Sequence, residues 1–273
     1  MKSTFVLAQL AAEPTPAQTL EKSRWAVAKA KKEHHADFII FPESFMFRKP
    51  RGTDRNIILD TAQRVDGPFV NGMRELACEY GVWMAFGMNE LSEDPHDPRS
   101  RNSMLLLSAD GDILRNYHKT HLYDASAEKE SDLFQPGGRL FEPLDTPFGR
   151  LGMLVCYELR FPEIARYQAL KGAEILIVPA AWYRGDLKVL HWTTLLTARA
   201  IENTAYVLGC SQYSAEFVGE SAAVDPAGII VAHGTEGECL VPCLVDTDRV
   251  KSRREAYSSC MTDRRPELYR VEG

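Results

Sequence analysis

The organisation of the chain is clearest in the stretch LGMLVCYELRFPEI, residues 151–164. Its first five residues are apolar apart from Gly152 and predict a buried strand. The run FPEI that follows opens a helix, with Pro162 at a position where proline is favoured. Cys156 therefore lies at a strand-to-helix turn. Such a turn presents a side chain sharply, lets the following backbone N–H groups face an oxyanion, and favours thiolate over thiol at the helix amino end. From its position alone, Cys156 is equally well explained as a buried structural cysteine.

The alternation of strand and helix continues on both sides of this stretch. Near-continuous apolar strands between helices predict an α/β fold with helices covering its sheets on at least one face. Thr15 and Gln18 predict an N-cap, and Gly81 predicts a C-cap. The predicted strands are 5–10, 38–41, 82–88, 151–155, 175–178 and 206–210. The predicted helices start at Thr15 and at residues 69, 164 and 189. One predicted hairpin joins 104–107 to 113–117, and a second has its turn at 225–228.

Composition indicates an ordinary globular protein with one domain. The 273 residues are 45% hydrophobic and 26% charged, and no linker-like stretch divides residues 1–273. The net charge of −6 argues against a nucleic-acid or membrane-surface partner. The first residues meet Glu13 before a secretory core develops, and no later apolar run approaches a membrane span of about 20 residues. We expect a cytoplasmic protein that acts on a small molecule.

The six cysteines are predicted to be reduced, because a chain of this length without an export signal does not need a disulfide framework. Apolar surroundings predict that three of them, Cys78, Cys210 and Cys243, are small buried hydrophobic residues. The pair formed by Cys239 and Cys243 has no second pair nearby, so a zinc site is not expected.

Two further residues stand at strand ends. Glu43 follows the apolar run FIIFP, at the edge where open α/β sheets place their sites. Considered by itself, Glu43 is best explained as a helix cap or a surface charge, but near a thiol it can act as a general base. Lys119 ends a hairpin strand, where a lysine is usually solvated. In a site it would be a fixed cation beside a tetrahedral intermediate. His118 and His121 could ligate a metal, although in an extended segment their rings face opposite sides.

The motifs FPE (41–43), KTHLYD (119–124) and CYELRFPE (156–163), in this order, resemble those of the nitrilase superfamily of carbon-nitrogen hydrolases. The resemblance runs essentially end to end. Further matching stretches are Glu130-Ser131 with Pro136-Gly137, His191-Trp192, 199–203 and 265–269.

This resemblance implies a four-layer αββα sandwich that pairs across its helices into a homodimer or higher oligomer. The tail, residues 250–273, is expected to take part in those contacts. The family's catalytic glutamate, lysine and cysteine correspond to Glu43, Lys119 and Cys156, and its second glutamate to Glu130. No metal or organic cofactor is implied. The residue two places after the cysteine is usually aspartate in the family but is Glu158 here, a departure that concerns the pocket.

Substrate preference is predicted from neighbouring residues. Tyr157 after the cysteine is more typical of small-acid amidases than of nitrilases, and its backbone N–H is a predicted oxyanion donor. The stretch AAWYRG (180–185) resembles the branch with omega-amidase and deaminated glutathione amidase. Trp182 and Tyr183 follow a strand end and are predicted to line the pocket, as is His191. Arg160 could bind a substrate carboxylate, but a structural role is favoured.

These features predict hydrolysis of the primary amide of a small carboxylated compound through a Cys156 thioester. Nitrilase or N-carbamoyl amino acid hydrolase activity is the alternative within the same chemistry. A metal hydrolase or a non-catalytic scaffold with this fold are alternatives of other kinds.

Overall fold

The computed structural model describes residues 1–47, 49, 53–54, 56–94, 96–125, 129–257 and 259–269. Its strands form two six-stranded sheets with parallel pairs at the centre and antiparallel pairs at the edges. The first sheet has the order β12 (Cys239–Asp246), β1 (Lys2–Gln9), β2 (Phe38–Ile40), β3 (Trp83–Glu90), β4 (Arg101–Leu107), β5 (Ile113–His118). The second has the order β11 (Ile230–His233), β10 (Ala222–Val224), β9 (Tyr206–Ser211), β8 (Ile175–Ala180), β7 (Gly149–Met153), β6 (Leu144–Thr146).

The helices form the outer layers. Two of them pack on the first sheet and two on the second, each pair sharing a buried apolar cluster with its sheet. The first pair is α1 (Pro16–His34) and α3 (Pro68–Tyr80), and the second is α4 (Pro162–Leu170) and α5 (Lys188–Asn203). Shorter helices are α2 (Asn56–Thr61), α6 (Thr247–Ala256) and α7 (Ser259–Thr262), with 3₁₀ turns at Glu130–Asp132, Cys156–Arg160 and Pro266–Leu268.

The side-chain alternation along the central strands explains the stacking. In β1, Phe5 and Leu7 belong to the core between the two sheets, whereas Val6 and Ala8 face α1 and α3. Successive side chains of a strand point to opposite faces, so a strand that is apolar throughout must be covered on both. The predicted α/β class and four-layer αββα sandwich are therefore confirmed.

Local signals place most element boundaries within a few residues. The Thr15 hydroxyl accepts a hydrogen bond from the Gln18 N–H at 3.3 Å, and Gly81 closes α3 with φ of 57°. Strand β7 ends at Met153, two residues earlier than predicted. The chain there leaves the sheet to form the turn that carries Cys156.

One burial prediction is wrong. Cys210 and Cys243 are buried as predicted, but Cys78 is exposed. The buried stripe of α3 includes Met73, Leu76 and Ala77, and the next position rotates out of it. The Cys78 thiol instead donates to the Asp110 carbonyl at 2.9 Å.

Parts of the predicted oligomer contact region lie outside the described residues, namely 258 and 270–273, as does the side chain of Cys260. Within the described part, no helix has the length and apolarity to cross a bilayer.

Candidate active site

Glu43 lies in a tight loop that follows β2 and stays bonded to β3. The Phe41 N–H donates to the Ala85 carbonyl at 2.8 Å, and the Gly87 N–H donates to the Pro42 carbonyl at 3.1 Å. Gly87 is required here, because a Cβ atom on it would lie 2.3 Å from the Ser44 nitrogen. The loop thereby holds the Glu43 side chain in the interior, at 4% exposure.

Both oxygens of the Glu43 carboxylate accept hydrogen bonds. Oε1 accepts from Lys119 Nζ and from Asn102 Nδ2, each at 2.8 Å. Oε2 accepts from the Ala181 N–H at 2.9 Å, at the carboxyl end of β8. The Cys156 side chain lines the same cavity, and burial and then the charge of Glu43 raise the pKa of its thiol. One buried carboxylate therefore joins segments from both sheets.

Lys119 is fixed at the end of β5 and is 2% exposed. Its ammonium group donates to both Glu130 oxygens, at 2.8 and 3.1 Å, besides the bond to Glu43. Burial alone would lower the pKa of Lys119, but the charges of Glu130 and Glu43 outweigh it and raise this pKa well above its ordinary value. The lysine is therefore a permanent cation.

Glu130 begins the 3₁₀ turn that follows the Lys119 segment. Its Oε2 also accepts from the Tyr123 N–H at 2.7 Å, and its Oε1 accepts from Asn102 Nδ2 at 2.8 Å. Asn102 thus bridges the two carboxylates that share Lys119. Asn102 was not predicted as a site residue, and its one signal in the sequence is an amide side chain just before the apolar run 104–107.

Cys156 stands at the predicted strand-to-helix turn with φ of 48°, in the left-handed region. That conformation costs about 1–2 kcal/mol for a residue with a Cβ atom, and such strain clusters at functional sites. Burial and then the charge of Glu43 raise the pKa of the Cys156 thiol well above its ordinary value, against the opposing effect of Lys119. The prediction that the helix end favours thiolate is therefore wrong for the resting protein, since the turn Cys156–Arg160 separates the sulfur from α4.

Glu158 is a second residue whose role sequence reasoning missed. Its side chain is fully buried and bonds two segments of the site together. Oε1 accepts from the Tyr117 hydroxyl at 2.8 Å and from the Thr120 N–H and hydroxyl at 2.7 Å each. Oε2 accepts from the Val155 N–H at 2.8 Å. The residue noted as a departure from the family pattern thus ties the Lys119 segment to the Cys156 turn.

Glu43, Lys119, Glu130 and Cys156 all line one cavity. Its walls also include three of the predicted substrate-binding residues, Tyr157, Trp182 and Tyr183, together with Tyr123 and the cations Lys49, Lys129, Arg160 and Lys188. The fourth predicted residue, His191, is not among the described residues of the wall. Its Nδ1 atom lies 3.4 Å from Arg160 Nη2, so it contacts a wall residue instead.

The sequence favours a structural role for Arg160 and leaves carboxylate binding open; its guanidinium lies in the cavity wall, 5.0 Å from the centre of the Trp182 ring. Near the end of α5, Arg199 Nη1 lies 3.0 Å from Glu202 Oε1 and forms an ion pair with it. His118 Nε2 lies 2.9 Å from Glu90 Oε2, and His121 Nδ1 lies 2.8 Å from the Thr120 hydroxyl. No cluster of three potential metal ligands occurs among the described residues.

Comparison with known proteins identifies a family whose profile matches this chain and several similar proteins. The profile of the carbon-nitrogen hydrolase family matches residues 7–255. A deaminated glutathione amidase of Escherichia coli O157:H7 is 34% identical over 222 residues, covering 81% of this chain and 82% of that protein. A Saccharomyces cerevisiae member of branch 10 of the nitrilase superfamily superposes with a TM-score of 0.84 at 28% identity, covering 97% of both chains.

A third relative is informative about chemistry. The amidase from Nesterenkonia sp. AN1, in a glutamate-to-glutamine variant, superposes with a TM-score of 0.81 at 26% identity, covering 98% of this chain and 95% of that one. In that structure the acetamide moiety of fluoroacetamide is covalently added at the active-site cysteine.

Proposed function

The chain belongs to the carbon-nitrogen hydrolase family of the nitrilase superfamily, as its motifs predict, and we propose that it hydrolyses the primary amide of a small carboxylated aliphatic compound through a thioester on Cys156. Amidase-type hydrolysis of a carbon-nitrogen bond follows from the family and its amidase relatives. One observation carries the finer proposal. The Glu43 carboxylate accepts a hydrogen bond from Lys119 at 2.8 Å, lines the same cavity as the Cys156 sulfur, and adds its charge to burial in raising the pKa of that thiol.

In the first half-reaction Glu43 takes the thiol proton and the sulfur attacks the amide carbon. The resulting oxyanion is held by the Lys119 ammonium and the Tyr157 backbone N–H. The carbon-nitrogen bond breaks as Glu43 returns the proton to the leaving nitrogen, which departs as ammonia. The raised pKa of Cys156 suits this order, because the proton then leaves the sulfur only when the attack occurs.

In the second half-reaction water replaces ammonia. Glu43 removes a proton from the water as its oxygen attacks the thioester carbon, and the carboxylic acid leaves while the sulfur regains a proton. Lys119 again faces the oxyanion. Glu130 keeps Lys119 charged throughout, since both of its oxygens accept from the ammonium group. It also fixes the position of the cation.

The relatives support this choice of chemistry. In the Nesterenkonia amidase the active-site cysteine carries the acetamide moiety of fluoroacetamide, which supports a nucleophilic role for Cys156 here. The E. coli relative carries an amidase name, and Tyr157 follows the cysteine here, which favours an amide over a nitrile. We further propose that the enzyme is a cytoplasmic homo-oligomer in which residues 250–273 contribute contacts.

The test is ammonia release from short carboxylated amides by the wild type and by Cys156→Ala. We expect the variant to lose essentially all activity, and rapid acid quenching of the wild type to show the mass of an acyl group on the intact chain. Cys78→Ala is the matched control, because that thiol is exposed on α3 and does not line the cavity. Ammonia release that survives in Cys156→Ala would refute the mechanism. Faster release from nitriles or N-carbamoyl compounds would reassign the substrate.

A further inference from the structure

Arg160 and Lys188 are cations of the cavity wall that have no carboxylate partner in the part of the chain that the structure describes. Lys119 is neutralised by Glu43 and Glu130 at 2.8 Å each. Arg160 and Lys188 line the same cavity, and neither forms an ion pair with a carboxylate in the described part of the chain. An uncompensated charge in a partly enclosed site is costly, so its presence needs a reason.

Lys188 is held in place from two directions. Its backbone carbonyl accepts from the Trp182 indole N–H at 2.9 Å, and its own N–H donates to the Gly185 carbonyl at 3.2 Å. Its ammonium group lies 5.2 Å from the centre of the Tyr123 ring and 3.3 Å from the Tyr123 hydroxyl. The cation is therefore positioned by aromatic residues, while most of its hydrogen-bonding capacity stays available to an occupant of the cavity.

The backbone before Lys188 is strained to achieve this placement. Leu187 has φ of 60°, in the left-handed region that a β-carbon disfavours, and its side chain is exposed. Nothing apolar is gained by that arrangement, because the leucine faces solvent. The left-handed conformation of Leu187 instead lets α5 begin with Lys188 in the cavity wall. Strained residues of this kind concentrate at ligand-binding and catalytic sites.

The net charge of the reacting residues explains why a cation is needed at the position of Lys188. Glu43, Glu130 and Lys119 together leave one net negative charge, and the chain as a whole has a net charge of −6. An anionic substrate is repelled by both. Unpaired cations in the wall reverse the local sign and supply charge-assisted hydrogen bonds.

We propose that Lys188 is a specificity-determining residue that binds the substrate carboxylate remote from the amide, on the wall it shares with Arg160. This inference rests on the proposed function and adds to it the position of the anionic end. Trp182 links the two cations, because its ring lies under Arg160 and its indole N–H fixes Lys188. The ligand class is an aliphatic carboxylate whose chain is long enough to reach from this wall to Cys156.

The test compares two amides of equal length, glutaramate and pentanamide, which differ by a carboxylate in place of a methyl group. In Lys188→Met we expect kcat/KM for glutaramate to fall about tenfold or more, the loss of one charge-assisted hydrogen bond, with pentanamide nearly unchanged. Lys188→Arg should keep most of the preference. Lys32→Met is the matched control, because it removes an exposed lysine of α1 and changes the net charge equally.

A binding measurement separates this inference from the proposed function. Calorimetry with glutaramate in a Cys156→Ala background needs no turnover, and adding Lys188→Met should weaken binding about tenfold. If the wild type hydrolyses no amide but this difference is found, the proposed reaction is wrong and the carboxylate site stands. Equal binding in both proteins, no binding in either, or equal losses for glutaramate and pentanamide would overturn the assignment of Lys188. The thermal midpoint of each variant shows that it is folded.

Discussion

Replacing Glu43 by glutamine separates two effects that this side chain has on Cys156. The carboxylate is the proposed base, and its negative charge also raises the pKa of the thiol. Glutamine removes both the base and the charge while it keeps the volume. Catalysis and thiol ionisation should therefore change in opposite directions.

For catalysis the expected loss is about 10²–10⁴-fold in kcat, the usual contribution of a positioned general base. For ionisation the pH midpoint of Cys156 alkylation should move down, because the neighbouring carboxylate charge is gone while Lys119 still stabilises the thiolate. At neutral pH the glutamine variant should thus react faster with iodoacetamide than the wild type, although it hydrolyses amide far more slowly.

The structure also sets a stability cost for this variant. Donors approach both Glu43 oxygens, from Lys119 and Asn102 on one side and from the Ala181 N–H on the other. A glutamine can accept on one side only, so one buried donor loses its partner at a cost of about 1–3 kcal/mol. Urea unfolding measures that loss and shows how far the variant remains folded.

The assay is mass spectrometry of alkylated Cys156 between neutral and alkaline pH, beside ammonia release. Cys78→Ala serves as background to exclude labelling of the exposed thiol. An alkylation midpoint that stays in place or rises in Glu43→Gln would refute the electrostatic argument. A kcat within about tenfold of wild type would refute the role of Glu43 as base.

Two further predictions concern buried carboxylates outside the reacting set. In Glu158→Gln the new NH₂ group faces at least one donor, the N–H of Val155 or of Thr120. We therefore expect the free energy of unfolding in urea to fall by about 1–3 kcal/mol, and kcat to fall by a larger factor than KM changes. An unchanged kcat in a folded variant would show that the link between the Lys119 segment and the Cys156 turn does not matter for catalysis. For Glu90, burial raises the pKa, but the hydrogen bonds with His118, Ser103 and Asn116 outweigh it and the net pKa is lowered. A lowered pKa in the folded state means that ionised Glu90 stabilises the fold above pH 4.5, the ordinary pKa, and that this stabilisation is lost as the pH falls through the folded-state pKa. The difference in unfolding free energy between wild type and Glu90→Gln should therefore narrow in acid. A difference that widens in acid would contradict the lowered pKa of Glu90.

The success and failure of the sequence predictions have separable causes. The central strands are largely apolar, and α1 and α3 carry caps at Thr15 and Gly81, so local pattern was enough for the order of elements. The sequence alone also reveals strand ends and turns, which is where Glu43, Lys119 and Cys156 lie. Asn102 and Glu158 act by joining segments that are distant in sequence, so the local pattern around each residue does not reveal its partners. The pKa of Cys156 depends on burial and on Glu43, which only the tertiary structure brings to the sulfur.

The arrangement of two carboxylates around one lysine has a consequence for the proposed cycle. When the thiol proton passes to Glu43, the negative charge moves from carboxylate to sulfur, so the total charge beside Lys119 does not change. On attack the charge moves again, to the oxyanion, and returns to Glu43 when ammonia leaves. At every stage Lys119 therefore faces Glu130 and one other anion, which limits the electrostatic reorganisation that each step requires. Without Glu130, Lys119 would face only the thiolate or the oxyanion whenever Glu43 held the proton. Glu130, which bonds to Lys119 through both oxygens, is the reason this cation can stay buried through the cycle.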